Sequence, residues 1–217
     1  STPLVSKMCE EKGIKCYEVL TGCKNIANKR NELKDKDYLF GFEESLGYMF
    51  NINVNDKNHP IILGILNYLA SGKNFDGHTW SNTIITNKDY PHVPWWNYES
   101  NQEKSYNPTA CFIGFILKFV DRNSELFELA CDLAKEAYSY LTKHFPLESI
   151  HTVSCFVKLY EYLKEISMNS VLNLEEFRSL LQKQIQYVIT YDTAKWEVDY
   201  VCKPSLFINS KTSDFYI

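Results

Sequence analysis

Asn107-Pro-Thr-Ala-Cys-Phe-Ile-Gly-Phe-Ile-Leu-Lys-Phe119 decides the class of this fold. Asn107 followed by Pro108 is a helix-start signal: asparagine favours the cap, and proline favours the first helical position. Ala110, Phe112, Ile113, Phe115, Ile116, Leu117 and Phe119 then ring the predicted helix almost completely. A helix apolar all round is buried by its neighbours. The flanking sequence supplies them. Asn123-Ser124 caps an amphipathic stretch from Leu126 to Leu141, and Pro146 breaks the chain after His144. A further helix is expected from Glu148 to Ile166, and another after Asn173, with Glu175 and Glu176 suiting its N-terminal dipole. Upstream, Asn58-His-Pro60 opens a helix whose stripe is Ile61, Ile62, Ile65, Leu66 and Leu69, and Gly72 ends it. Residues 59–190 therefore predict five helices and essentially no sheet. The short connections make neighbours antiparallel.

Composition narrows the function. The chain has 217 residues, 45% of them hydrophobic, which is enough for a real core. A net charge of −4 argues against a nucleic-acid surface, which needs clustered Lys and Arg. No apolar run reaches the roughly 18 residues of a membrane span. The first ten residues lack a signal-peptide pattern, so a cytoplasmic protein is expected. The seven cysteines form no CxxC pair and no His/Cys ligand spacing, which predicts reduced thiols and no metal site. Self-association into a homo-oligomer stays open.

The first fifty residues read differently. Thr2-Pro3 starts a helix that Gly13 stops. Ile14 to Leu20 reads as a strand, Thr21-Gly22 as a turn, Lys24 to Lys34 as a second helix and Tyr38 to Phe42 as a second strand. That α-β-α-β order favours parallel strands joined by crossovers. Residues 51–58 are polar and read as a linker. The expected organisation is a small α/β piece (1–50), a linker (51–58) and a mainly α domain (59–217).

Val19-Leu-Thr-Gly-Cys-Lys-Asn-Ile-Ala-Asn-Lys29, followed by Leu39-Phe-Gly-Phe-Glu-Glu-Ser-Leu-Gly-Tyr-Met49, resembles the third domain of phosphohexomutases, the phosphoglucomutases and phosphomannomutases. That family usually has an aromatic where Cys23 stands. The resemblance implies that Glu43 and Ser45 contact sugar hydroxyls, with Thr21 and Gly22 beside them. Read without the resemblance, Glu43-Glu44-Ser45 is a polar strand-to-helix loop. A working mutase also needs a phosphoserine loop, an Asp-Gly-Asp-x-Asp metal loop and a C-terminal phosphate loop, and these 217 residues contain none of them. Without a phosphoserine there is no phosphoryl group to pass on, and without metal carboxylates nothing neutralises its charge. Hence no cofactor is expected of this chain, and Mg²⁺ only if another chain completes the mutase.

Two aromatic stretches carry the other candidates. Phe75-Asp-Gly-His-Thr-Trp80 resembles the repeat turns of α/α-toroid proteins, the fold of terpenoid cyclases and prenyltransferase β subunits. Tyr90-Pro-His-Val-Pro-Trp-Trp-Asn-Tyr98, together with Asn107-Pro-Thr-Ala, resembles uncharacterised bacterial proteins of that helical fold over roughly residues 46–217. The implied architecture is antiparallel helix pairs, α/α-toroid-like. Pro94 biases Val93 to extended geometry, and in an extended run Trp95 and Trp96 point to opposite sides. His92 is placed for proton transfer by its near-neutral pKa, with Asp192 or Asp199 as acid/base partners. One reading is a binding groove for a small molecule or sugar, lined by Trp80, His92, Trp95, Trp96 and Trp196. A second is an enzyme acting on a carbohydrate through His92 with Asp192 or Asp199. A third is a phosphohexomutase-related protein completed from elsewhere. Against all three stands plain packing: aromatics and prolines also stiffen long connections, and charged loops are often solvated faces.

Overall fold

The computed structural model describes residues 3–20, 23–33, 40–42, 48–50, 59–89, 91–98, 105–208 and 210–216. The chain divides into two compact units, Ser1–Leu63 and Gly64–Ile217. The expected linker at 51–58 lies outside the described residues. The protein is mainly helical, and among the described residues no helix is long and apolar enough to cross a membrane.

The first unit opens with α1 (Pro3–Glu11). Gly13, at φ +66°, turns the chain, a conformation that costs glycine nothing. The Ile14 N–H then donates to the Cys9 carbonyl at 2.8 Å. The strand expected over 14–20 does not form: every residue there is exposed, and no described strand pairs with it. Its apolar residues have β propensity but no partner, and propensity without cross-strand packing carries little. α2 spans Cys23–Glu32. β1 (Phe40–Phe42) pairs with β2 (Tyr48–Phe50) in register Phe40↔Phe50, Gly41↔Met49 and Phe42↔Tyr48. The pairing is antiparallel, and the parallel pair expected between 14–20 and 38–42 is not found among the described residues, since its first strand does not form. Five residues separate the strands, room for a hairpin but not for a crossover.

α3 (Pro60–Ala70) begins where Pro60 predicts, with His59 Nδ1 accepting the Ile61 N–H at 3.3 Å. Ile62, Leu66 and Leu69 are its buried side chains. The second unit adds α4 (Thr109–Phe119), α5 (Glu125–Lys143), α6 (Ile150–Glu165) and α7 (Leu174–Val188). These make the five predicted helices. The β-type pairing among the described residues of this stretch is one isolated bridge, Phe75 to Trp80.

Among the described caps, capping follows the sequence with one exception, while Thr2 and Asn58 lie outside the described residues. Ser124 Oγ accepts from Phe127 N, and Asn173 accepts from Glu175 N and Glu176 N. The exception is α4, whose cap is Pro108 with no side-chain bond. The side chain of Asn107 instead meets the Cys155 thiol, which donates to its oxygen at 3.5 Å.

α4 forms the centre, with Ala110, Ile113 and Ile116 fully buried. Sequential neighbours run antiparallel: Tyr106, just before α4, packs on Tyr140 near the end of α5. Between α4 and α6 the order runs the same way along both helices. Asn107 meets Cys155, Gly114 meets Leu159 and Tyr162, and Lys118 pairs with Glu165. α4 and α6 are therefore parallel, each followed by its own antiparallel partner.

Candidate functional site

In the first unit, residues 14–18 run back along α1, where Ser6 Oγ donates to Glu18 Oε1 at 3.2 Å. Residues 18–20 then face one stripe of α2, Asn25, Asn28, Lys29 and Glu32, whose spacing puts all four on one side of the helix. Between them is an open concavity of about 540 Å³ lined also by Glu18, Val19 and Leu20. Two carboxylates, two carboxamides and an ammonium give it both donors and acceptors, the mixed lining a polyhydroxylated ligand requires. Lys29 is paired with Glu32 on the rim. Thr21 and Gly22 lie between Leu20 and α2 in sequence. These two, with Glu43 and Ser45, are outside the described residues.

In the second unit Trp80 is not a groove residue, which corrects its expected role. It is 2% exposed, stacks on Phe75 at 4.3 Å between ring centroids and meets Phe112 edge-on. Thr109, itself fully buried, holds it there: the Thr109 hydroxyl accepts from Trp80 N at 2.8 Å and donates to Trp80 O at 3.2 Å. The cause is the Asp76 turn, where Oδ1 accepts from His78 N and Thr79 N and closes the Phe75–Trp80 bridge against α4.

Val93 is extended, as Pro94 requires, but Pro94–Trp96 is a 3₁₀ turn rather than an extended run. The opposite-sides geometry expected for Trp95 and Trp96 therefore does not apply. Trp96 is half-buried, and the Trp95 side chain is outside the described set. His92 is exposed, its Nε2 2.8 Å from Asn97 Oδ1. Trp196 is half-buried, with its indole N–H donating to the Thr190 carbonyl at 2.7 Å. Asp192 caps the short 3₁₀ turn Thr193–Trp196 through Ala194 N. Asp199 is exposed, and its backbone N–H donates to Lys195 O. The bonds of Trp196, Asp192 and Asp199 named here are local ones that shape their own loop.

Elsewhere the fold joins a histidine to a carboxylate across 58 residues. His78 Nδ1 lies 2.9 Å from Glu136 Oε2, both exposed. Beside them Tyr106 is buried. Burial, then the charges of Glu136, Tyr140 and Asp76, push its hydroxyl up to about 12. It is thus a neutral phenol at any physiological pH. Sequence reading singled out the Asp-Gly-His turn but took His78 only as part of it. Glu136 lies on the polar side of an amphipathic helix, and no local signal announces a partner so distant. Among the described residues, no group of three or more His, Cys, Asp or Glu side chains is arranged to hold a metal.

The sequence matches known proteins at one end. Residues 1–71 match the family model described as phosphoglucomutase/phosphomannomutase, alpha/beta/alpha domain III. The match runs through α3, further than the two motifs alone. Phosphoribomutase of Saccharomyces cerevisiae is 42% identical over 60 residues, a stretch covering 27% of this chain. That stretch spans only 10% of the yeast protein's length. No solved structure matches. Residues 1–71 thus carry a fragment of phosphohexomutase domain III.

Proposed function

We propose that the N-terminal unit binds a sugar phosphate, in a chain related to the phosphomutases whose catalytic loops come from elsewhere. One observation carries the reading: the stretch matched to domain III contains a mixed-polarity concavity between Glu18, Val19 and Leu20 and one stripe of α2. Asn25 and Asn28 would bond sugar hydroxyls there, a role the family resemblance also gives to Glu43 and Ser45 of the second motif. The yeast relative's name directs attention to a phosphopentose. Phosphoryl transfer itself needs a phosphorylated nucleophile and charge-neutralising metal carboxylates. Another chain, or further sequence, would supply both, and Mg²⁺ would enter only with them.

A thermal-shift panel of ribose 5-phosphate, glucose 1-phosphate, free ribose and inorganic phosphate tests the binding. The reading expects the sugar phosphates to raise Tm and Asn28→Ala to remove the response. Equal shifts from inorganic phosphate alone would contradict it. Turnover of glucose 1-phosphate by this chain alone, lost in Glu43→Ala, would contradict the incomplete-machinery part.

A second reading concerns the helical unit, proposed as an α/α-toroid-like binder of a small polar molecule. The parallel α4–α6 pair, each helix followed by an antiparallel partner, is the repeat such a toroid needs. Its favoured locus is His78 and Glu136 beside the Tyr106 phenol, rather than His92 with Asp192 or Asp199. His78→Ala should abolish any ligand response that Asn28→Ala leaves intact.

A further inference from the structure

α1 and the stretch after it bring two thiols together. The turn at Gly13 sends residues 14–18 back along α1, fixed by Ile14 N–H to the Cys9 carbonyl and by Ser6 to Glu18. Ser6 and Cys9 are three residues apart, on one face of the helix. Cys16 lies over that face: its sulfur is 4.0 Å from Ser6 Oγ, and its thiol is near enough to raise that of Cys9. Cys16 is exposed and Cys9 partly so.

We propose that Cys9 and Cys16 form a dithiol–disulfide couple, oxidised within the chain by a small disulfide of the glutathione class. The exposed Cys16 thiolate attacks one sulfur of the oxidant, forming a mixed disulfide and expelling one thiolate. Cys9 then attacks the Cys16 sulfur, closing the internal bond and expelling the second thiolate. Two protons pass from the protein thiols to the two expelled thiolates. The protein loses two electrons and the oxidant gains them. The order of attack follows from access and charge: partial burial, then the Cys16 thiol, hold the Cys9 thiol above its ordinary value, so Cys9 is the resolving group. The closed loop is short, and the native turn already holds its ends together, so little chain entropy opposes closure. The bond would fix α1 to the segment leading into Thr21-Gly22. It depends on nothing proposed about sugar phosphates.

The test is to treat the full native chain with oxidised glutathione, alkylate it and digest it with trypsin without reduction. Residues 8–12 and 16–24 fall in separate peptides, joined only if a disulfide forms. The expected product is that linked pair, two hydrogens lighter than its parts and free of glutathione. It should vanish in Cys16→Ser and persist in Cys23→Ser, which removes the other cysteine of the second peptide. Glutathione adducts alone, a link surviving in Cys16→Ser, a link between two chains or no oxidation would each overturn the proposal.

Discussion

Gln184, fully buried on α7, closes a two-way bond with Leu147: its side-chain oxygen accepts Leu147 N at 2.8 Å, and its amide donates to Leu147 O at 2.8 Å. Leu147 lies in the connection between α5 and α6, so one side chain ties that loop to the helix packing on it. Removing the amide strands two buried backbone groups without water, and each costs about 1–3 kcal/mol. Gln184→Leu should therefore lower unfolding free energy by about 2–4 kcal/mol in a urea titration, despite its apolar gain.

Gly114 sets the spacing of α4 and α6. A Cβ there would lie 2.7 Å from Tyr162 Cδ2 and 3.1 Å from Leu159 Cα. The Leu159 backbone cannot yield as a side chain does. Gly114→Ala should cost about 1–3 kcal/mol through overpacking, although alanine is the better helix former. A stabilised variant would show that the two helices separate easily.

The tryptophans should separate by position. Trp80→Ala removes a fully packed indole and should cost about 3–5 kcal/mol. Trp96→Ala removes a half-buried one and should cost about 1 kcal/mol, near the centre of ordinary substitutions. Matched urea midpoints for the two variants would argue against the stacked core position of Trp80.

Alkaline pH should weaken the helical unit. Burial first, then neighbouring acidic groups, push Tyr106, Tyr160 and Tyr162 up to about 12 from their ordinary 10.0. Their folded pKa values are raised, so the neutral forms stabilise the fold fully below pH 10.0, and that contribution is lost as pH rises toward about 12. Tyrosinate absorbance should show a late-titrating group among the 15 tyrosines, and unfolding free energy should fall across that window. A single transition near the ordinary value would contradict this.

The helices were legible because their signals are periodic and local. The Ile62, Leu66 and Leu69 stripe, the Ser124 and Asn173 caps and the Pro146 break each lie within a few residues of what they specify. Residues 14–20 misled because Ile14 and Val19 suit a strand, while the partner a strand requires is not encoded beside them. Asn107-Pro108 announced a helix but not its cap, since the Asn107 side chain is claimed by Cys155, 48 residues away. Trp80 and His78 failed for the same reason: Thr109 and Glu136 decide their roles, and both are distant in sequence. The domain III resemblance was legible from two motifs in order at the right spacing.

The central claim is that the domain III fragment binds a sugar phosphate. Amide chemical shifts of the ¹⁵N-labelled full chain, titrated with ribose 5-phosphate, test it most directly. The account predicts saturable shifts in residues 18–32, including the Asn25 and Asn28 side-chain amides, with the helical unit unmoved. Shifts confined to the helical unit, or none at any concentration, would contradict it.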